Sequence, residues 1–441
     1  MIVCLHLSQI QAIKASGLCP QLEFVNTTSR QDGSIRLKPD ISIYSGTHSD
    51  GPPAAHTENQ KLLNWKAIDL WVENKNHDDD IFRDLEKMKE EDDADKDLES
   101  HIEWTRSAYK ICGQLVAYAS ALHRSQFRVF SFSIVLFGDT GRLLRWDRSG
   151  AIYTEPFNWA TEHDTLFEFI WRLNFLSDVD RGFDTTVVSV EDDEAVAALS
   201  KLRTYKGLEN VERTDLHKII VYDDLATGEP PRCYITPSAV WPTEALFGRS
   251  TFGYISYDVT STNLVYLKDF WRTDYPGIQK EGDVYRELHD AKVPNIAALG
   301  RAGDVPLSPQ HANTVPLDAQ RTKTQDYVKG GVLGHEWCPG QPRVDPYVHY
   351  RLVLETLGQP LNTFRSTRQL CEVIRDAIVG EKLRHTPLLS RLNIRDSSYG
   401  GIRECRNFTS GCECRKYPDQ WGGLWDVDRL GSVKEDDKGS R

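Results

Sequence analysis

Cysteine is scarce and irregularly placed, nine in 441 residues, which argues against a disulfide framework and fits a reducing compartment. The one cluster, Cys405, Cys412 and Cys414 with His385 upstream, falls short of the four ligands at regular spacing that a closed zinc site needs. Long apolar runs are missing as well. None approaches the roughly 20 residues that span a bilayer, and the first residues lack a basic stretch followed by a continuous apolar one, so neither a membrane span nor a secretory signal is expected. An intracellular location, cytoplasmic or nuclear, is the expectation. Positive charge is in deficit: 53 Lys and Arg against 65 Asp and Glu, net −12. That balance opposes nonspecific nucleic-acid binding, which draws on cations that neutralise phosphates, but it leaves room for a local basic groove. No internal repeat is visible.

What is present has the balance of a globular protein: 39% hydrophobic, 27% charged, mean hydropathy −0.49. The length allows two or three domains, each with its own core. The patterning divides the chain into an N-terminal α/β domain (1–175), a connecting module (176–245) and a third region (246–441). In the first region, 38–44 and 65–75 read as buried strands, 113–123 as a helix and 127–146 as a hairpin turning at "GDTG". The acidic run 77–100 reads as a solvated helix or insertion. In the connecting module "EDDEAVAALSKL" predicts a short helix, and "KIIVYDD" and "RCYITP" predict strands. Farther on, Ser366 and Gln369 fit a capping box opening a helix over 366–380.

The stretch from Gly248 to Asp269, "GRSTFGYISYDVTSTNLVYLKD", carries the strongest chemical signal. Phosphates need backbone N–H groups close by, and small residues permit that approach. Gly248, Ser250 and Gly253 stand at the spacing of a glycine-rich loop, and Lys268 follows on an apolar strand. In 281–296, Val284, Tyr285 and Leu288 form one helical stripe relative to Glu281, whose carboxylate can then pair with a lysine on a neighbouring strand. Asp283 competes for that role, with a poorer core face. A buried strand in "RLVLETLG" runs into Glu355, Thr356, Leu357 and Gly358, whose backbone could bond an adenine edge.

In this order the elements resemble the small lobe and hinge of a protein kinase. The phrases "GQLVAYASALHRSQFRVFSFSI", "RLLRWDRSGAIYTEPF", "FIWRLNFLSDVDRGFD", "LVYLKDFWR" and "HYRLVLETLGQPL" narrow the resemblance to the fungal-type protein kinases, Ser/Thr kinases with a domain before a divergent kinase domain. It covers about 38–441 and implies an α+β protein: an N-terminal α/β domain, then a kinase-like small lobe with the start of a large lobe. It further implies ATP and Mg2+ as cofactors and a protein substrate. Gly248, Ser250 and Gly253 would cover the phosphates, Lys268 would bind them, Glu281 would hold Lys268, and the backbone of Glu355 and Leu357 would meet the adenine.

The resemblance weakens at the catalytic loop. The family's loop resembles H-R-D-I-S-x-G-N-I; here "IRDSSYGGI" keeps Arg395, Asp396, Ser398 and Gly400 but has Ile394 in the histidine position and Gly401 in the asparagine position. "CRNFTSG" is the alternative, with Asn407 in place of the aspartate. Of the two, Asp396 is the preferred catalytic carboxylate. "WDVDRLG" supplies Asp426 as the implied magnesium ligand and Asp428 as its companion. Only fifteen residues follow Asp426, so the expectation is a fragment or kinase-like remnant with weak phosphotransfer.

A rival reading sits in the first region. Pro39 and Asp40, then Glu73 and Lys75, fit the PD…ExK pattern of restriction-endonuclease-like nucleases, and Gln114 and Tyr118 lie one helical turn apart on the next helix. Two carboxylates on adjacent strands can share a divalent metal while a lysine helps activate water. The structural alternative is that Asp40, Glu73 and Lys75 form a residual salt-bridge network on an old fold; a non-catalytic interaction protein is a further alternative for the whole chain.

Overall fold

The computed structural model describes residues 15–28, 37–45, 63–77, 80–82, 106–162, 164–224, 229–239, 245–313, 317–329 and 344–384. Helix and sheet are mixed, and the strands fall into two seven-stranded sheets. The first runs β1 (Leu22–Asn26), β2 (Ile41–Ser45), β3 (Leu70–Lys75), β4 (Ser131–Phe137), β5 (Thr140–Asp147) and β6 (Gly150–Tyr153), with β7 (Phe157–Asn158) also pairing with β5. Only β3 and β4 pair in parallel within it, and α1 (Arg106–Ser125) supplies the crossover such pairing requires.

Side-chain alternation sorts the strands onto two faces. Leu70 and Val72 of β3 join Ile43, Ile134 and Leu136 under Ile170 and Leu173 of α2 (Asp164–Phe175). Trp71, between them, faces the other way, against Leu115, Tyr118 and Leu122 of α1 and Trp146 of β5. The 127–146 hairpin turns through Gly138 at φ +63, between the paired Phe137 and Thr140.

The second sheet is antiparallel throughout, in the order β13–β14–β12–β11–β10–β9–β8. Its strands are β8 (Val187–Val188), β9 (His217–Val221), β10 (Arg232–Thr236), β11 (Phe252–Asp258), β12 (Leu264–Thr273), β13 (Leu299–Asp304) and β14 (Tyr347–Leu354). The segment 176–245, read as a connecting module, thus contributes three strands to this sheet. It also contributes α3 (Asp192–Leu202), which packs Ala195, Ala198 and Leu202 against Ile235, Ile255 and Tyr257. On the same face, α4 (Glu281–Asp290) covers the other half of the sheet, above Phe270, Ala302 and Tyr350.

The described residues belong to one compact unit, 1–392. Leu246 leaves the second sheet's chain to enter the first sheet's α1-side core. Its carbonyl accepts a 3.0 Å bond from Arg148 Nη1, and Gly248 N–H donates to the Arg148 carbonyl at 2.8 Å. A short helix, α5 (Thr324–Lys329), is pinned where Lys323 N–H, Thr324 N–H and Thr324 Oγ1 all donate to Asp147. The last described element is α6 (Thr367–Arg384). There Ser366 Oγ accepts from Gln369 N–H at 3.2 Å, while Gln369 Oε1 accepts from Arg365 N–H at 2.7 Å, one residue earlier than in a standard capping box.

Candidate functional site

Strand period places Lys268 and its neighbour Asp269 on opposite faces of β12. Lys268 lies directly across the ladder from Gly253 on one side and Leu352 on the other. Its Nζ donates to both carboxylate oxygens of Glu281, each at 2.8 Å, and stands 4.5 Å from the centre of the Phe270 ring. Burial lowers the Lys268 pKa, and Glu281 opposes that shift. Asp283, the competing carboxylate, bonds Arg286 at 3.0 Å instead. Arg249 gives no motif signal in the sequence, yet its Nη2 comes to 3.5 Å of Glu281 Oε2 and its guanidinium lies over Phe270. Two cations therefore converge on one carboxylate.

The position of α4 decides where Glu281 points, and charge fixes it. Lys280, just before the helix, donates to Asp224 at 2.7 Å and Asp304 at 2.8 Å, while Arg286 Nη2 donates to Asp223 at 2.9 Å. Arg272 completes the group by gripping Asp304 with Nε and Nη2, at 2.7 and 2.9 Å. These charge-assisted bonds hold the Asp304 carboxyl below its usual range. Gly282 allows the close approach, and Tyr350 OH accepts from its N–H at 3.2 Å.

After β14 the chain turns away at Glu355, whose N–H donates to the Ala298 carbonyl at 2.9 Å. Leu357 packs beside α3, and Tyr205 OH donates to the Gly358 carbonyl at 3.2 Å. Tyr266 stands two residues before Lys268 and opposite Leu354, on the face that α3 covers. Of the glycine-rich residues, Gly253 is the one brought next to Lys268. Gly248, at φ +87, is tied through its N–H to Arg148, and Ser250 is buried with its hydroxyl on the Ala245 carbonyl at 3.2 Å. Asp396, Asn407, Asp426 and Asp428 lie outside the described residues, as do the acidic residues 84–100 and the Cys405–Cys414 cluster.

Comparison with protein-family models gives a match to the fungal protein kinase model over residues 81–394. The chain belongs to the fungal protein kinase family. The match begins after β3, takes in the rest of the first sheet, the second sheet and α6, and ends before Asp396. Neither curated proteins nor solved structures gave a match. Among the described residues no helix is long and apolar enough to cross a membrane.

This kinase-family chain carries a second polar cluster, in its first sheet, where β2, β3 and α1 meet. Lys75 Nζ donates to Glu73 Oε1 at 2.6 Å and to Gln114 Oε1 at 2.9 Å. Gln114 Nε2 in turn donates to Glu73 Oε1 at 2.8 Å and to Tyr118 OH at 2.7 Å, and Tyr118 OH donates to the Lys38 carbonyl at 2.8 Å. Asp40 Oδ2 accepts from Asn74 N–H at 2.8 Å. Glu73 Oε2 is sealed from solvent without a well-formed hydrogen bond. Burial, then the nearby Asp40 charge, push the Glu73 carboxyl up to about 7, with Lys75 and the Asp40 backbone N–H opposing the shift. No group of three or more His, Cys, Asp and Glu poised to hold a metal occurs among the described residues.

Proposed function

We propose that the second sheet and α4 form the small lobe of an ATP-binding, Ser/Thr-kinase-like domain. Lys268 is its phosphate-binding cation, Glu281 anchors that cation, and Gly253 provides the close backbone approach. The observation that carries this reading is the two-oxygen Lys268–Glu281 pair, formed across β12 and α4 and braced by the Asp223, Asp224 and Asp304 network. Phosphoryl transfer depends on positioning and charge neutralisation, and a lysine held in this way is preorganised for both. Since the Glu355 N–H is engaged by Ala298, the adenine amine would donate to the Glu355 carbonyl while Leu357 N–H donates to a ring nitrogen.

A nucleotide reaching from that hinge to Lys268 crosses Tyr266, which lies under α3. Binding in this mode therefore calls for α3 to move off that half of the sheet. Phosphate contact by Gly248 and Ser250 likewise calls for release of their bonds to Arg148 and Ala245. Asp426 would hold Mg2+, which supplies charge neutralisation at the phosphates, and Asp396 would orient an acceptor hydroxyl. With Gly401 lacking a side-chain amide and Ile394 lacking an imidazole, turnover on a protein substrate is expected near background. ATP titration of the wild type and Lys268→Ala tests the reading. Weakened binding in the variant supports it and equal affinity overturns it. Labelled-phosphate transfer to a generic Ser/Thr substrate, with Asp426→Ala as control, tests the low turnover.

A second reading is favoured by Glu73. Its buried Oε2 and the carboxylate of Asp40, the residue just before the adjoining strand β2, are hard oxygen donors suited to one divalent cation, with Lys75 and Gln114 fixing the other Glu73 oxygen. A cation there would supply Lewis-acid and water-activating chemistry of the restriction-endonuclease-like kind. Mn2+ titration of the wild type and Asp40→Asn separates this from a purely structural network, which would show no saturable binding.

A further inference from the structure

A cavity of about 290 Å3 lies between the C-terminal end of α1 and the face of the second sheet opposite Lys268. Two carboxylates line it, Asp184 and Asp269, and both are fully engaged. Asp184 accepts from Arg351, Thr186 and Gln320, and Asp269 from Arg351 at 2.8 Å and His349 at 2.6 Å. Arg128, Gln126 and His123 are bonded as well, but three of the cavity's donor residues are in the opposite state. Arg148 is 4% exposed, and its one hydrogen bond, through Nη1, goes to a neutral carbonyl. Arg148 Nη2, Tyr254 OH and Trp271 Nε1 find no acceptor among the described residues, and Arg148 Nε is buried without one.

The charge of Arg148 is similarly uncompensated by contact. Its nearest acids, Asp269 and Asp147, are taken up by Arg351 and His349 and by Arg145 and Thr324 respectively. Burial pushes the guanidinium down to about 10, so it stays charged at neutral pH. A buried cation without a bonded counter-ion is unfavourable, and an oxyanion entering the cavity would supply the missing acceptors. The remaining walls are aromatic: Phe127 and Tyr254 stack with centroids 6.4 Å apart, and Trp271 stacks on His349 at 4.8 Å. Donor-rich, acceptor-poor and flat-walled, the cavity approaches the size of small-ligand sites, about 300 Å3 upward.

We propose that this cavity binds a small organic oxyanion, a carboxylate or phosphate on a planar apolar body, with the anion on Arg148 and the body between Tyr254 and Trp271. The site is separate from the nucleotide site, on the reverse face of β12, and does not depend on ATP binding.

Calorimetric titration of the full chain with phenyl phosphate tests this, with benzoate, phenol and inorganic phosphate as companions. Phenyl phosphate or benzoate should bind one to one. Phenol and inorganic phosphate should each bind at least tenfold more weakly, because each lacks one half of the match. Arg148→Gln should weaken binding at least tenfold, Arg148→Lys less, and Arg368→Gln, on the exposed side of α6, not at all. If Arg148→Gln fails to fold, Tyr254→Phe, which removes only a hydroxyl, should still weaken binding severalfold. Absence of saturable binding by both aromatic anions overturns the proposal. So does equal affinity for phenol, or loss of binding in Lys268→Ala with retention in Tyr254→Phe, which would move the ligand to the other face.

Discussion

Gly282 lies against Ala302 so closely that a Cβ added to the glycine would stand 2.4 Å from the alanine Cβ and 2.6 Å from Tyr350 OH. Neither neighbour can yield easily, since Ala302 and Tyr350 are fully buried in the sheet. Gly282→Ala should therefore push the first turn of α4 outward and part Glu281 from Lys268. The expected cost is about 1–3 kcal/mol of stability, the range for overpacking, read from chemical denaturation. Full stability together with unchanged nucleotide affinity would show that α4 tolerates displacement.

The Lys268–Glu281 pair should behave as a coupled unit. In a double-mutant cycle with Lys268→Met and Glu281→Gln, the coupling energy in unfolding should fall between about 0.5 and 3 kcal/mol. Additive effects would mean that Arg249 satisfies Glu281 without Lys268.

Ala198→Arg, at a fully buried position on the sheet-facing side of α3, should detach that helix from Ile255 and Tyr257. ATP affinity should then rise at least tenfold, and tryptic cleavage at Lys201 and Arg203 should accelerate. Faster cleavage with unchanged affinity would separate α3 from nucleotide binding.

The raised Glu73 carboxyl has a signed consequence for stability. A carboxyl whose folded pKa of about 7 exceeds its ordinary 4.5 favours the folded state fully below pH 4.5. That contribution falls away as pH rises to about 7, by about 3 kcal/mol in all. Glu73→Gln should remove this slope from denaturation midpoints measured between pH 4.5 and 8. A saturating divalent cation at Asp40 and Glu73 should reduce it in the wild type.

Asp184 and Asp269 act in the opposite sense. Their pKa values are lowered, chiefly by Arg351 and His349 against the cost of burial. Their stabilisation is therefore present above the ordinary carboxylate range and is lost as pH falls through it. Arg351→Met, which strands two buried carboxylates, should cost about 3–5 kcal/mol at pH 7, measured by thermal unfolding, and less at pH 3.

Local patterning made much of this legible. The hairpin in 127–146 forms, though its first strand is buried on both faces, and of the Val284, Tyr285 and Leu288 stripe Val284 and Leu288 are buried and Tyr285 half-buried. The stripe also favoured Glu281 over Asp283 as the lysine's partner, and Lys268 bonds Glu281. Long-range docking left no such trace. The Ala195, Ala198 and Leu202 spacing announces an apolar helical face without saying which sheet receives it. Asp223 and Asp224 stand at the end of the predicted strand "KIIVYDD", and nothing in the sequence shows that Lys280 and Arg286 meet them from some 60 residues away. Arg249 was hidden inside a glycine-rich phrase whose spacing drew attention to its neighbours.

Leu246 ties the order of synthesis to the order of packing. Its side chain completes the core between the first sheet and α1, and its carbonyl is bonded by Arg148, 98 positions earlier. A growing chain can pair β1 to β7 long before residue 246 is made, at about 5–20 residues per second. Yet that core stays one side chain short for several seconds, until most of the second sheet's first strands exist as well. A nascent chain stalled anywhere between 160 and 245 would display the vacant place in that apolar core, surface of the kind a chaperone binds.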